Sequence, residues 1–192
     1  MNNVKRLAVY CGSASGSDPL FAEATRATAS AMVSRGVDLV YGGGRLGLMG
    51  LIADNVLELG GKVYGVIPAA LVDLEVAHTG VTELFRVADM HERKAKMTDL
   101  ADAFLALPGG IGTLDELFEA WSWNALGYHA KPFCLLNVGG FWDGLIHFMD
   151  HATDSGFLSA SRRKQLLVAE TPDEALDLLD EAAARATQGM VW

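Results

Sequence analysis

Two short segments of this chain concentrate the residue types that could do chemistry. The first is Asp89-Met90-His91-Glu92-Arg93-Lys94-Ala95-Lys96-Met97. Met90, Met97 and Leu100 recur at helical spacing and mark an apolar stripe, with Arg93 and Lys94 about 60° and 40° from Met90 at 100° per residue. A guanidinium so close to a buried face needs an anionic partner, because charges are seldom buried unpaired. That partner could be a structural carboxylate or a bound anion. The second segment is Thr113-Leu114-Asp115-Glu116, directly after Pro108-Gly109-Gly110-Ile111-Gly112. Thr-x-x-Glu reads as a capping box, which alone would account for Glu116. The chemical alternative is a carboxylate in the first helical turn that activates water or stabilises an oxocarbenium-like transition state, as carboxylates do in glycoside hydrolysis.

These charged residues stand among three glycine-rich loops: Cys11-Gly12-Ser13-Ala14-Ser15-Gly16-Ser17, Gly42-Gly43-Gly44-Arg45-Leu46-Gly47-Leu48-Met49-Gly50, and the 108–113 segment. Glycine permits tight strand-to-helix turns and close backbone approach to a ligand. The helix that follows each loop offers free N–H groups and a positive dipole end to an anion. Gly42-x-Gly44-x-x-Gly47 matches the dinucleotide fingerprint in letters only. It follows the second strand rather than the first, and the strand after it ends in Val66-Ile67-Pro68 without the expected acid. No Gly-Lys-Ser/Thr is present, so a triphosphatase loop is not indicated. A lone phosphate fits better than a pyrophosphate.

The elements that must position these loops alternate along the chain. Strands are expected near 6–11, 37–41, 62–67, 83–87, 103–107, 133–137 and 166–168. Helices are expected near 19–35, 48–59, 90–100, 114–126 and 141–155, with a last one opening at Thr171-Pro172. Several strands are apolar throughout, as in a parallel sheet covered on both faces. The expected fold is therefore α/β, a single-domain Rossmann-like doubly wound parallel sheet with helices on both faces, spanning residues 1–192 with a flexible tail over 185–192. Ligands of such sheets bind beyond the carboxyl ends of the strands, where the glycine loops lie.

Composition narrows the partners. The chain has 192 residues, 15 Lys and Arg against 24 Asp and Glu, and a net charge of −9. No basic stripe for nucleic acid stands out, and phosphate would have to be held locally by backbone N–H groups and one or two cations. No apolar run reaches the ~20 residues of a membrane span, and the N-terminus does not read as a signal peptide, so a cytoplasmic location is expected. Cys11 and Cys134 read as reduced core residues. His147 and His151 are four apart on a helix, but the His-Glu-x-x-His pattern is missing and metal binding is not expected. Along the fourth expected helix, Leu114, Leu117, Phe118, Trp121 and Ala125 form one stripe. Trp123 falls on the other side with Glu116, under a cover that a second subunit could supply.

Taken together, Pro108-Gly109-Gly110-x-Gly112-Thr113-x-x-Glu116, Gly42-Gly43-Gly44-x-x-Gly47-Leu48-Met49-Gly50 and Met90-His91-Glu92-Arg93-Lys94 resemble the LONELY GUY family, from about Lys5 to Leu158. These are cytokinin riboside 5′-monophosphate phosphoribohydrolases, long labelled lysine decarboxylases. The resemblance implies a Rossmann-like homodimer with its sites near the subunit interface. It implies hydrolysis of the nucleotide to an adenine-type base and ribose 5-phosphate, with neither metal nor organic cofactor. By the same resemblance Arg93 and Glu116 are the catalytic pair. Glu75, Lys94, Gly109, Gly110, Gly112, Thr113 and Ser122 serve the nucleotide, together with Gly12, Ser13, Gly43 and Gly44 of the other loops. Asp115 stands where the family more often has Glu. A decarboxylase would need a pyridoxal phosphate lysine with its supporting residues, and no convincing candidate is found. Two other readings remain open: a nucleosidase for ordinary nucleoside monophosphates, and a carrier that binds a nucleotide or cofactor without cleaving it.

Overall fold

A computed structural model describes residues 3–72 and 77–188. Seven parallel strands form one sheet: β1 (Arg6–Tyr10), β2 (Asp38–Tyr41), β3 (Val63–Pro68), β4 (Glu83–Val87), β5 (Ala103–Ala106), β6 (Phe133–Leu136) and β7 (Leu166–Ala169). Their spatial order is β4-β3-β2-β1-β5-β6-β7. The order reverses between β1 and β5, which makes that junction the switch point where open α/β sheets bind ligands.

The helices are α1 (Pro19–Ser34), α2 (Gly47–Glu58), α3 (Met90–Leu100), α4 (Ile111–Ala125), α5 (Asp143–Asp154), the short α6 (Ala160–Arg163) and α7 (Pro172–Gln188). Side chains alternate across each strand, and the two faces feed two cores. Leu7, Val9, Leu105 and Leu107 pack under α1, α2 and α7 with Met32, Ile52 and Leu179. Ala8, Tyr10, Phe104 and Ala106 pack under α3, α4 and α5 with Met97, Leu117, Trp121 and Met149. The expected Rossmann-like architecture with helices on both faces is therefore observed.

Local capping sets where the helices begin. Asp18 accepts from Leu20 N at 2.9 Å ahead of Pro19 at the first position of α1. In α3, Asp89 accepts from Glu92 N at 2.8 Å and Glu92 Oε2 accepts from Ala88 N at 2.7 Å. This reciprocal box fixes the helix that carries Arg93. The expected capping at Thr171 is also present, with Glu174 N donating to its hydroxyl at 3.3 Å. The expected tail is helical as far as Gln188, and the rest of it lies outside the described residues.

Helix α4 departs from expectation. It starts at Ile111 with Gly110 as N-cap and no side-chain cap bond, three residues before the expected start. Thr113 is thus the third helical residue and Glu116 the sixth, so the two do not form a capping box. Gly110, the N-cap, has no side chain with which to cap the N–H groups of the first turn of α4.

Candidate active site

The three glycine loops meet at the switch point because Gly12 joins them. Its N–H donates to the Pro108 carbonyl at 3.1 Å, and its own carbonyl accepts from Leu48 N at 3.0 Å. Gly47 has φ +57°, and a β-carbon there would strike the backbone of Ser13 and Ala14. The third glycine of the fingerprint-like segment therefore serves loop packing rather than a pyrophosphate. Gly109 plays a similar part toward α4, since a β-carbon on it would collide with the Thr113 side chain.

Over this junction lies a cavity of about 220 Å³ into which Arg93 and Glu116 both project. Its polar floor is made by Gly12, Ser13, Gly110, Gly112 and Thr113, around the uncapped first turn of α4. Its apolar wall comes from Met49, Leu71, Met90 and Ile111. Positive dipole end and free donors at the floor suit a phosphate, and the apolar wall suits the face of a heterocyclic base. A second cavity of about 260 Å³ shares Gly12, Ser13 and Gly110 with the first and is closed by Phe21, Leu48 and Phe141.

Arg93 is only 4% exposed. Its Nη2 donates to the Gly42 carbonyl at 2.8 Å, which anchors the guanidinium beside the end of β2. The expected stripe of α3 is corrected here. Met90 is 39% exposed and lines the cavity, while Arg93, Met97 and Thr98 form the buried face.

Glu116 makes itself felt on its neighbours. Burial, and after it the Glu116 and Glu119 carboxylates, push the Tyr10 phenol well up. Burial and then Glu116 push the Cys11 thiol up as well. Cys11 lines the cavity, but a protonated thiol in an electronegative setting is a poor nucleophile. Both cysteines are free and buried, as expected.

Other residues named from the sequence fall elsewhere. Gly43 and Gly44 lie outside the cavity lining. The Gly43 carbonyl accepts from His78 N at 2.9 Å, and Gly44 bridges to Ala77, so this part of the loop holds the segment that follows the gap in the described residues. His78 closes that contact through a 2.8 Å bond to Asp54 on α2. Lys94 Nζ lies 3.0 Å from Asp115 and 2.6 Å from Glu119, on the flank of α4 rather than in the cavity wall. Ser122 borders a surface groove with Leu114, Phe118 and Trp123. Glu75 lies outside the described residues. Sequence reasoning missed Gly42 as the anchor of Arg93, and missed Met49, Leu71 and Ile111 as cavity wall. The adjacent glycines and the apolar periodicity carried part of that signal.

Comparison with known proteins places the chain in a family. A family model described as "Possible lysine decarboxylase" matches residues 49–179. A cytokinin riboside 5′-monophosphate phosphoribohydrolase of Arabidopsis thaliana is 44% identical over 191 residues, 98% of this chain and 90% of the relative. One of Oryza sativa subsp. japonica is 46% identical over 188 residues, 98% of this chain and 78% of the relative. Among solved structures, TM1055 superposes with a TM-score of 0.70 at 25% identity, covering 92% of this chain and 99% of its own. The molybdenum cofactor carrier protein of Chlamydomonas reinhardtii shares the fold alone, with a TM-score of 0.68 at 17% identity over 93% of this chain and 98% of its own. Identity of 44–46% over nearly the whole chain to these plant enzymes leads to one assignment: the chain belongs to the cytokinin riboside 5′-monophosphate phosphoribohydrolase family, whose family model carries the lysine decarboxylase description.

Proposed function

We propose that the chain is one catalytic domain that hydrolyses the N-glycosidic bond of cytokinin riboside 5′-monophosphates, releasing the free base and ribose 5-phosphate. The observation that carries this reading is the convergence of Arg93 from α3 and Glu116 from α4 on one cavity floored by an uncapped helix start. The 5′-phosphate is placed at the N–H groups of Gly112 and Thr113 with Ser13 beside them, where helix dipole and free donors favour an anion despite the net charge of −9. The anomeric carbon then lies between the floor and the two charged side chains. Glu116 takes the proton of the attacking water or stabilises positive charge on the ribosyl ring as the bond to the base breaks. Arg93 holds the phosphoribosyl group or offsets charge on the departing base. Water is the nucleophile and no electrons are exchanged, so the reaction itself calls for no redox or group-carrying cofactor.

The carrier reading is weaker, because a carrier has no use for a carboxylate and an arginine brought together on the ligand cavity. The apolar wall of Met49, Leu71 and Met90 favours an N6-alkylated adenine over adenine itself. The enzyme is read as a cytoplasmic homodimer. Among the described residues no helix is long and apolar enough to cross a membrane. The outer face of α4 exposes Ile111 at 87% and leads by Leu126 to Tyr128 at 76%. Ile111 borders both the surface groove and the catalytic cavity, so a second subunit on this face would stand next to the site.

Product chromatography after incubation with isopentenyladenosine monophosphate and with AMP tests the proposal, with Glu116→Gln as control. Free base is expected from wild type, faster from the isopentenyl nucleotide, with turnover reduced at least ~10²-fold in the variant. Binding of both nucleotides without release of either base would move the assignment to a carrier.

A further inference from the structure

We propose that Lys94 is a positioning residue that fixes the turn of α4 carrying Glu116 against the helix carrying Arg93. The inference rests on the catalytic reading above and assigns Lys94 a duty different from contact with the nucleotide.

The two reactive side chains stand on helices with largely different foundations. Helix α3 packs over β1, β2, β3 and β4, whereas α4 packs over β1, β5 and β6. How the turn carrying Glu116 sits against α3 therefore depends in part on what ties the two helices together above the sheet. Arg93 and Lys94 are consecutive, so their side chains leave α3 about 100° apart. Arg93 turns down to the Gly42 carbonyl, and Lys94 turns across to α4.

There it meets Asp115 at 3.0 Å and Glu119 at 2.6 Å. These two carboxylates are four residues apart and stack on one face one turn above the other. Glu116 sits between them in sequence, next to Asp115 and three residues before Glu119. One ammonium thus grips both sides of the turn that carries the reactive carboxylate. His91 of α3 also approaches Glu119, at 4.0 Å, a much looser contact.

The Lys94 and Glu119 side chains are only 16% and 21% exposed, so this is not a solvated surface pair. Burial alone would lower the Lys94 ammonium, yet its bonds to Glu119 and Asp115 outweigh that and leave it raised. Lys94 supplies positive charge to two carboxylates, Asp115 and Glu119, that flank Glu116 on one turn. Without it, the like charges of Asp115 and Glu119 at i, i+4 would strain the turn that must hold Glu116 still.

The test compares wild type with Lys94→Met, Lys94→Arg and Glu119→Gln by steady-state kinetics on isopentenyladenosine monophosphate and by amide hydrogen exchange. Lys94→Met and Glu119→Gln are expected to lower kcat about tenfold or more while KM stays within about threefold, since misplacement of a catalytic group weakens the chemical step. Lys94→Arg is expected to recover most of kcat. Amides of Glu116 and Leu117 are expected to exchange faster in Lys94→Met, a readout that needs no turnover. A raised KM with unchanged kcat in Lys94→Met would make Lys94 a nucleotide-binding cation and overturn the proposal. Unchanged kinetics would overturn it too, and if Lys94→Met does not fold, Glu119→Gln decides by the same criteria. Wild type that cleaves no nucleotide would defeat the catalytic reading, and the exchange rates would then decide by themselves whether Lys94 fixes the turn.

Discussion

The Arg93 guanidinium donates from Nη2 to the Gly42 carbonyl at 2.8 Å and fills the space that a β-carbon on residue 42 would need. Gly42 does not have positive φ, so its lack of a side chain is not explained by its own backbone. What excludes a methyl group is the arginine. Gly42→Ala is expected to fold, because backbone conformation there tolerates alanine, but to drive the guanidinium out of its seat. A displacement on the order of 1 Å can cost about 10²-fold in rate, so kcat is expected to fall by that factor, close to the effect of Arg93→Ala. Circular dichroism and turnover measured on the same preparation check this. Near-normal turnover would mean that Arg93 can work from elsewhere.

How far the sequence discloses such a site can be judged from a few positions. The strands were legible because a parallel strand covered on both faces is apolar throughout, as in Val63–Pro68, which is buried at every residue. Helix α3 was legible from Met90 to Leu100, although the Asp89 and Glu92 box that starts it was not read from the sequence. Its inner face was not. Periodicity finds an apolar stripe but cannot separate core from cavity wall, and Met90 belongs to the wall. The start of α4 was hidden for a different reason. Gly110-Ile111-Gly112 has poor helix propensity and no capping side chain, so the helix begins there because Thr113 packs on Gly109 and Gly12 binds Pro108. The Thr-x-x-Glu spacing then suggested a cap that tertiary structure does not make.

The subunit arrangement gives a second prediction. Leu126 is 68% exposed at the end of α4, close to Tyr128 at 76%, on the face proposed for the partner subunit. Sedimentation equilibrium is expected to give wild type twice the 20.5 kDa chain mass, and Leu126→Asp a shift toward one chain. Burying a new carboxylate in an apolar contact without a partner is unfavourable by several kcal/mol or forces dissociation. A wild type that sediments as one chain at micromolar concentration would remove the dimer from the proposal.

A pH dependence of stability follows from His129, at the opposite end of the sheet from the cavity. Its Nδ1 accepts from Lys131 N at 3.2 Å, which requires an unprotonated Nδ1, and its ring packs beside Phe104 at 5.4 Å. Burial, and then the Lys131 charge, lower its pKa from 6.5 to about 4. Between those values the unfolded chain binds a proton that the folded chain does not. Stability contributed by the neutral ring is therefore complete above pH 6.5 and declines as pH falls toward 4, by at most about 1.4 kcal/mol per pH unit. Glutamine at this position keeps an acceptor for Lys131 N but does not titrate. Urea unfolding at pH 7.5, 6 and 5 is expected to show a shallower acid-side loss for His129→Gln than for wild type, with the difference growing as pH falls below about 6.5. Parallel losses for the two proteins across that range would show that the ring takes up its proton as readily in the fold as outside it, and that burial beside Phe104 does not hold it neutral.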